Sequence, residues 1–181
     1  GFCLHQAYDE SVGESAEYNY IFQSKLAEMR ALINGELSGQ QVVIWADFTL
    51  EIDLIFQELC KQKFMSAYID GRVLPAERDD IEKEFREGKI MYLICQPQAS
   101  QYSRDFSTAD VEIFYSSPLG LKTRLQAEDR LISAKTKSVL VIDLVCKDTL
   151  EEDIIESLRK KESKQSMIKR IVQRLTGGKN V

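Results

Sequence analysis

An amide and a guanidinium lie four residues apart in the segment QAEDR, residues 126–130, just ahead of an apolar run. On a helix, Gln126 and Arg130 lie on one face, about one turn apart. A guanidinium is a planar, always charged fork of donors that suits carboxylate and phosphate oxygens. The plain alternative is a solvated surface row in which Arg130 pairs with an acid on its own helix. The surrounding segments decide between these two interpretations.

The composition predicts one soluble globular domain. Of the 181 residues, 44% are apolar and 29% are charged, which is enough apolar material for a sizeable core. The chain has no uncharged apolar run of membrane-spanning length and no signal-peptide pattern, so we expect no contact with a membrane.

Cysteine and histidine usage argues against several kinds of site. The four cysteines are scattered without a C-x-x-C pair, and three of them lie in or beside apolar runs. This predicts reduced core thiols of a cytosolic or nuclear protein, with no metal site. His5 is the only histidine, which argues against Ser-His-Asp and Cys-His catalysis.

The charge is unevenly distributed along the chain. From Arg159 onward there are eight Lys and Arg and one acid, or +7, whereas residues 1–158 carry 16 basic and 28 acidic side chains, or −12. An acidic body with a basic tail predicts that an anionic partner binds locally, at the tail. The alternative is an ordinary solvated helix end.

Short apolar runs alternate with amphipathic segments, which predicts βαβ units and a mostly parallel sheet covered by helices on both faces. The predicted strands are 41–46, 65–69, 90–95, 111–115 and 138–145. The predicted helices are 20–34, a segment around 52–59, 75–87, 119–132 and 148–161, with a last amphipathic piece at 167–175.

Ligands of such sheets are expected at the carboxyl ends of the strands. The loops of interest therefore start at Ala46, Asp70, Cys95, Ser116 and Val145. Neither G-x-G-x-x-G nor G-x-x-x-x-G-K-[ST] occurs, so the chain has no phosphate cradle of its own.

Five phrases in order resemble the second RecA-like lobe of a superfamily-two helicase, closest to the Swi/Snf-type DNA translocases. They are VVIWADF, YIDGRVLPAERDDIEKEF, DVEIFYSSP, RLQAEDR and VIDLVCKDTLEEDI. The resemblance implies an α/β fold, a RecA-like three-layer α/β/α domain. It also implies a connector at 1–17 from an upstream lobe, the lobe itself at 18–160, and a basic amphipathic tail at 161–181.

The resemblance further implies roles in ATP hydrolysis. Arg130 would be the arginine finger that reaches the γ-phosphate across the cleft between lobes, with Gln126 beside it and Asp105 contacting the ribose. ATP and Mg²⁺ would be held mainly by the N-terminal RecA-like lobe of the same protein. We therefore expect the isolated chain to be inactive.

Contacts to double-stranded DNA are implied for the loops after the first three strands. The residues concerned are Phe48, Gly71, Arg72, Ser100 and Arg104, which would contact the phosphate backbone without reading bases. Asp70 is expected to shape its turn. Such a protein is expected in the nucleus, or in the cytoplasm in association with a nucleoid.

Two departures from the family pattern support an alternative. Ser133 stands where the family has a second arginine, and a loop that is glycine-rich in the family reads PQASQYSRDF, without glycine. The alternative is a catalytically degenerate lobe that acts as a protein- or nucleic-acid-binding module.

Overall fold

The computed structural model describes residues 16–98, 105–132 and 138–175 of the chain. Within these ranges, helices and strands alternate as the sequence predicts. The helices are α1 (Ala16–Asn34), α2 (Thr49–Lys61), α3 (Pro75–Arg86), α4 (Leu121–Ile132), α5 (Leu150–Arg159) and α6 (Lys164–Leu175). The strands are β1 (Val42–Trp45), β2 (Ser66–Ile69), β3 (Tyr92–Cys95), β4 (Val111–Phe114) and β5 (Leu140–Asp143).

The strands form a single sheet in the order β2-β3-β1-β4-β5, and every described pairing is parallel. Strand β1 is central, and its last residue Trp45 lies opposite Cys95 on one side and Phe114 on the other. The prediction of a parallel sheet is confirmed, and the structure places VVIW at its centre.

Helices cover both faces of this sheet. Met29 and Ile33 of α1 and Ile55 of α2 pack on one face, together with strand residues such as Ile44. On the other face, side chains of α3 and α4 form a second apolar cluster with alternate strand residues. That cluster includes Trp45, Phe85, Phe106, Phe114, Ala127 and Leu131. Burial on both faces explains the continuous apolar runs of β1 and β3, and the predicted three-layer α/β/α fold is confirmed.

Some element ends differ from the sequence prediction. Helix α1 begins at Ala16, four residues earlier than predicted, and β5 contains 140–143 instead of 138–145. The apolar run around β5 does not mark a buried strand, because β5 lies at an edge of the described sheet and Leu140 is about half exposed.

The described part of the expected basic tail is a helix packed on its predecessor. Met167 of α6 is buried, and the Arg170 guanidinium donates to the Asp153 carboxylate at 2.9 Å and to Ser157 Oγ at 2.6 Å. Helices α5 and α6 therefore pack together through an apolar contact and an ionic one. No helix in the described ranges is long and apolar enough to cross a membrane.

Candidate functional site

Helix α4, which carries Gln126 and Arg130, is fixed to the sheet by the buried side chain of Arg124. The Arg124 guanidinium carbon lies 3.3 Å from the centroid of the Phe114 ring, and its Nη1 forms an ion pair with Asp143 at the end of β5. Arg124 also pairs with Glu128 one turn further along α4. These contacts set the position of α4 relative to β4 and β5.

The structure brings the segment of Asp105 to the last turn of α4, which carries Arg130. The backbone N–H of Phe106 donates to the backbone carbonyl of Arg130 at 3.1 Å, so the residue before it, Asp105, lies next to the last turn of α4. The Asp105 carboxylate accepts from the backbone N–H of Ser107 at 2.9 Å. Hydrogen bonds from Ser107 hold the pKa of Asp105 below its ordinary value, so the carboxylate is ionised at neutral pH. Gln126 is exposed one turn earlier on α4.

Asp105 and Arg130 lie away from the carboxyl ends of the strands, contrary to the expectation from strand topology. Crossover helices of a parallel sheet run antiparallel to the strands, so the last turn of α4 lies toward their amino ends. The Asp105 backbone N–H also contacts Glu82, in the second half of α3, at 3.3 Å. Asp105 and Arg130, the candidate nucleotide-binding residues, therefore lie beside α3 and α4, on the face of the sheet that these two helices cover.

Phe48 lies at the carboxyl end of β1, and its side chain is 60% exposed. The loop that carries it is held by a chain of hydrogen bonds. The Asp47 backbone N–H donates to Ser116 Oγ at 2.7 Å, and the Ser116 hydroxyl donates to the Glu51 carboxylate at 2.5 Å. The Phe48 N–H donates to the same carboxylate at 3.4 Å. Burial raises the pKa of Glu51, and the hydrogen bond from Ser116 opposes that rise.

A buried lysine lies beside this loop. Lys25 of α1 donates to the backbone carbonyl of Tyr115 at 2.7 Å and forms an ion pair with Glu151 at the start of α5. Glu151 also accepts from the backbone N–H of Cys146 at 2.7 Å. Sequence reasoning missed this contact because a lysine on a helix is usually exposed.

Gly71 and Arg72 follow β2 at the same end of the sheet. Asp70 is buried and accepts from the Arg72 backbone N–H at 2.8 Å, as expected for a residue that shapes its turn. Arg78 braces the same loop by donating to the backbone carbonyls of Asp70 and Val73 at 2.8 and 2.7 Å.

The local backbone does not require glycine at position 71. Its φ lies outside the left-handed region, and a Cβ built on Gly71 would have no described heavy atom within 4 Å. The side chain of Arg72 is engaged by two acids. Hydrogen bonds to Asp53 and Asp70 hold the pKa of Arg72 above its ordinary value.

Three residues singled out by the sequence lie outside the described ranges. They are Ser100 and Arg104 of the third loop and Ser133, which follows α4. Their proposed roles therefore rest on the sequence alone.

A buried glutamate under α4 was not identified from the sequence. Glu112 of β4 has no exposed surface, and its Oε2 accepts from the Trp45 indole N–H at 2.7 Å. Its Oε1 has no hydrogen-bond partner among the described residues. Burial raises the pKa of Glu112 to about 7. The signal available in the sequence is an acid inside the apolar run VEIFY.

Cys60, Cys95 and Cys146 form no disulfide among the described residues, and no group of three or more His, Cys, Asp or Glu in the described ranges is placed to hold a metal. The all-parallel sheet of the described strands and the helices that cover both of its faces define a RecA-like α/β/α lobe. The chain belongs to the family described as the helicase conserved C-terminal domain, which matches residues 24–135. The C-terminal helicase lobe that the sequence pattern resembles is thereby confirmed.

The chain is similar to chromatin-remodelling ATPases named INO80. It is 30% identical to the human protein over 132 residues and 30% identical to the Drosophila melanogaster protein over 151 residues. These matches cover 72% and 82% of the chain but only 8% and 9% of the two relatives. The chain therefore spans less than a tenth of the length of these curated relatives.

A solved structure has the same fold. It is a crystal structure of the C-terminal part of the Fun30 ATPase domain, with a TM-score of 0.63 and 22% sequence identity. The likeness covers 83% of this chain and 47% of that one. At this level of identity, the comparison supports the fold alone.

Proposed function

We propose that this chain is the second motor lobe of an ATP-dependent double-stranded DNA translocase. The observation that carries the proposal is the backbone hydrogen bond from Phe106 to Arg130, because it holds the segment of Asp105 against the last turn of the helix that carries Gln126 and Arg130. The family and the retained QxxxR spacing in α4 support the same reading.

The side chains of Asp105 and Arg130 suit two parts of a nucleotide, the ribose and the phosphates. An ionised Asp105 can accept from a ribose hydroxyl, and Arg130 can stabilise negative charge that spreads over phosphoryl oxygens in the transition state. Gln126 is the exposed amide on the same helix. ATP and Mg²⁺ are proposed to be held mainly by the N-terminal RecA-like lobe, since this chain has no glycine-rich cradle.

DNA is proposed to lie along the carboxyl ends of β1, β2 and β3. Phe48, Gly71 and Arg72 are there, and Ser100 and Arg104 follow β3 in the sequence. Contacts through a backbone amide and a guanidinium would follow phosphates without reading bases. Such contacts suit a lobe that steps along duplex DNA of any sequence.

We further propose a nuclear location and a chromatin context. The names of the relatives describe chromatin-remodelling ATPases, and their sources include human, fly and plant. These relatives give no support to the cytoplasmic, nucleoid-associated alternative.

A degenerate binding module is the second candidate function. Ser133 and the glycine-free loop favour it, because they remove a second arginine and the residues that allow close backbone approach. The double ion pair of Arg72 also favours it, since this side chain is already occupied.

Steady-state ATPase rates of the full-length protein, with and without DNA, test the proposal. We expect Arg130→Lys to lower DNA-stimulated turnover by at least about a hundredfold while ATP and DNA binding change little, because the loss is confined to the transition state. Arg30→Lys, at an exposed position of α1, is the control for an arginine-to-lysine change and should behave as wild type.

Ser133→Arg restores the family pattern and should raise the rate. A wild-type protein that binds DNA but shows no turnover above buffer would establish the binding-module alternative instead.

A further inference from the structure

The guanidinium of Arg72 is shared between two aspartates. Its Nε and Nη2 donate to Asp70 Oδ2 at 2.8 and 2.6 Å, and its Nη1 and Nη2 donate to the two Asp53 oxygens at 3.1 and 2.7 Å. A guanidinium has five N–H donors. Four of them are therefore already used, and they include both edges that could bind an oxyanion through two parallel bonds.

The two aspartates differ in burial and in origin. Asp70 is 1% exposed and belongs to the same loop, where it also binds the Arg72 backbone. Asp53 is 34% exposed and comes from helix α2, while Arg72 itself is 45% exposed. Asp70 therefore orients the guanidinium from below. Asp53 occupies the edge that is open to solvent.

A carboxylate and a phosphate bind arginine with the same two-point geometry. A duplex phosphate that approached Arg72 would therefore compete for the edge that Asp53 holds. The phosphate would also approach a negatively charged surrounding. Burial raises the pKa of the neighbouring Tyr68 hydroxyl, and the charges of Asp70, Asp53 and Glu77 are all near enough to raise it further. Both effects oppose phosphate binding at this loop.

We propose that Asp53 is a built-in competitor for DNA phosphate at Arg72 and thereby restrains the grip of this lobe on duplex DNA. The inference rests on the proposed function, because it assumes that Arg72 faces the DNA. Binding exchanges the Asp53 carboxylate for a backbone phosphate, and release restores the intramolecular pair. A lobe that must leave one phosphate and take the next benefits from such an exchange, since Arg72 is paired in both states.

The test is the affinity of the full-length protein for a short duplex of mixed sequence, measured by fluorescence anisotropy over a range of salt concentrations. We expect Asp53→Asn to bind about three- to tenfold more tightly than wild type at low salt, with the gain shrinking as salt rises. Asp80→Asn makes the same change of charge at an exposed position of α3 and should have little effect. Asp53→Glu keeps the carboxylate and should bind as wild type.

A double-mutant cycle assigns the effect to the pair. In an Arg72→Ala background, Asp53→Asn should give no gain in affinity beyond that of Asp80→Asn. Relative to wild type, Arg72→Ala itself should reduce the slope of log affinity against log salt by about 0.9, the value for one phosphate contact. Thermal unfolding of each variant verifies that it is folded.

The outcomes separate this inference from the proposed function. If Asp53→Asn binds no more tightly than Asp80→Asn while wild type binds duplex DNA, the inference is overturned and the proposed function stands. A wild-type protein that binds no duplex at all overturns both.

Discussion

The side chain of Glu112 lies on the inner face of β4, beneath α4, with one oxygen bound to the Trp45 indole and no contact with solvent. Burial is the main reason why its pKa rises to about 7, and the nearby acids Glu128 and Asp143 add to the rise. The Trp45 hydrogen bond and the Arg124 charge oppose it. A neutral carboxyl is therefore favoured below neutral pH.

This shift predicts that the native state loses stability as the pH rises from about 4.5 to about 7. In that window the unfolded chain releases the Glu112 proton while the folded chain keeps it, so the free energy of unfolding falls with rising pH and levels off above about 7. The loss is at most about 3 kcal/mol, from 1.36 kcal/mol for each unit of pKa. Urea unfolding of residues 1–181 at a series of pH values measures it.

Glu112→Gln provides the comparison, because an amide keeps an acceptor for Trp45 and cannot ionise. The variant should match wild type near pH 4.5 and exceed it in stability at pH 8. Glu77→Gln, at an exposed position of α3, is the matched control and should follow the wild-type curve. Parallel curves for wild type and Glu112→Gln would show that the pKa of Glu112 is the same in the folded and the unfolded protein.

At the scale of elements, the attachment of α4 depends on Arg124. Truncation of this side chain would remove the partner of Asp143 and Glu128 and uncover the Phe114 ring. We expect Arg124→Ala to lower the free energy of unfolding by about 2–4 kcal/mol, because it leaves partly buried carboxylates unpaired. Chemical denaturation measures this change.

Arg30→Ala is the control for that variant. Arg30 is exposed, and its contact with Glu58 on the surface is 3.5 Å long, so its loss should cost less than about 1 kcal/mol. Equal effects of the two variants would mean that the Arg124 cluster contributes no more than a surface ion pair.

Much of the fold could be predicted from local pattern. The runs at Val42–Trp45 and Tyr92–Cys95 are apolar at every position, which is typical of strands covered on both faces, and both strands are buried throughout. The run around Leu140 has the same composition, yet β5 lies at an edge of the described sheet. An apolar run does not specify the position of its strand, because that depends on the order of all the strands.

The ends of helices were less predictable. Helix α5 was predicted at 148–161, but Asp148 and Lys161 both adopt positive φ, so neither is helical, and the side chain of Thr149 accepts from the Glu151 backbone N–H. The spacing of apolar residues does not predict such backbone conformations. They depend on a few local hydrogen bonds.

The candidate site could be predicted only where its residues lie close together in one short segment of the sequence. Gln126 and Arg130 share a helix face, so their spacing was enough to identify them. The hydrogen bond from Phe106 to the last turn of α4, which brings the neighbouring Asp105 there, joins residues 24 apart in the sequence and depends on the path of the loop before β4. The buried Arg124 and Glu112 were missed because charged residues are rarely buried, and no local pattern marks the exceptions.

At the scale of the whole molecule, the basic segment is part of the packed structure as far as it is described. Removal of the chain after Leu158 would delete Arg170 and Met167, leaving Asp153 without its described ion pair and exposing the apolar surface under α6. If DNA binding were lost after that truncation, the loss could come either from disrupted packing or from the removal of positive charge. Substitution of exposed lysines separates the two.

We predict that the combined change of Lys161, Lys164 and Lys169 to Gln weakens duplex binding by residues 1–181 and reduces its dependence on salt. These side chains are exposed, and they lie in the part of the chain that carries +7 against −12 elsewhere. If all three contact phosphates, the slope of log affinity against log salt should fall by about 2.7, from about 0.9 for each phosphate neutralised.

The same change at Lys61, Lys83 and Lys89 is the control, because these lysines are exposed in the last turns of α2 and α3 or just beyond α3. Anisotropy titrations of both triple variants, with urea unfolding to verify equal stability, compare the two surfaces. Equal losses of affinity in both triple variants would mean that duplex binding depends only on the total charge of the chain. That result would contradict a local contact at α6.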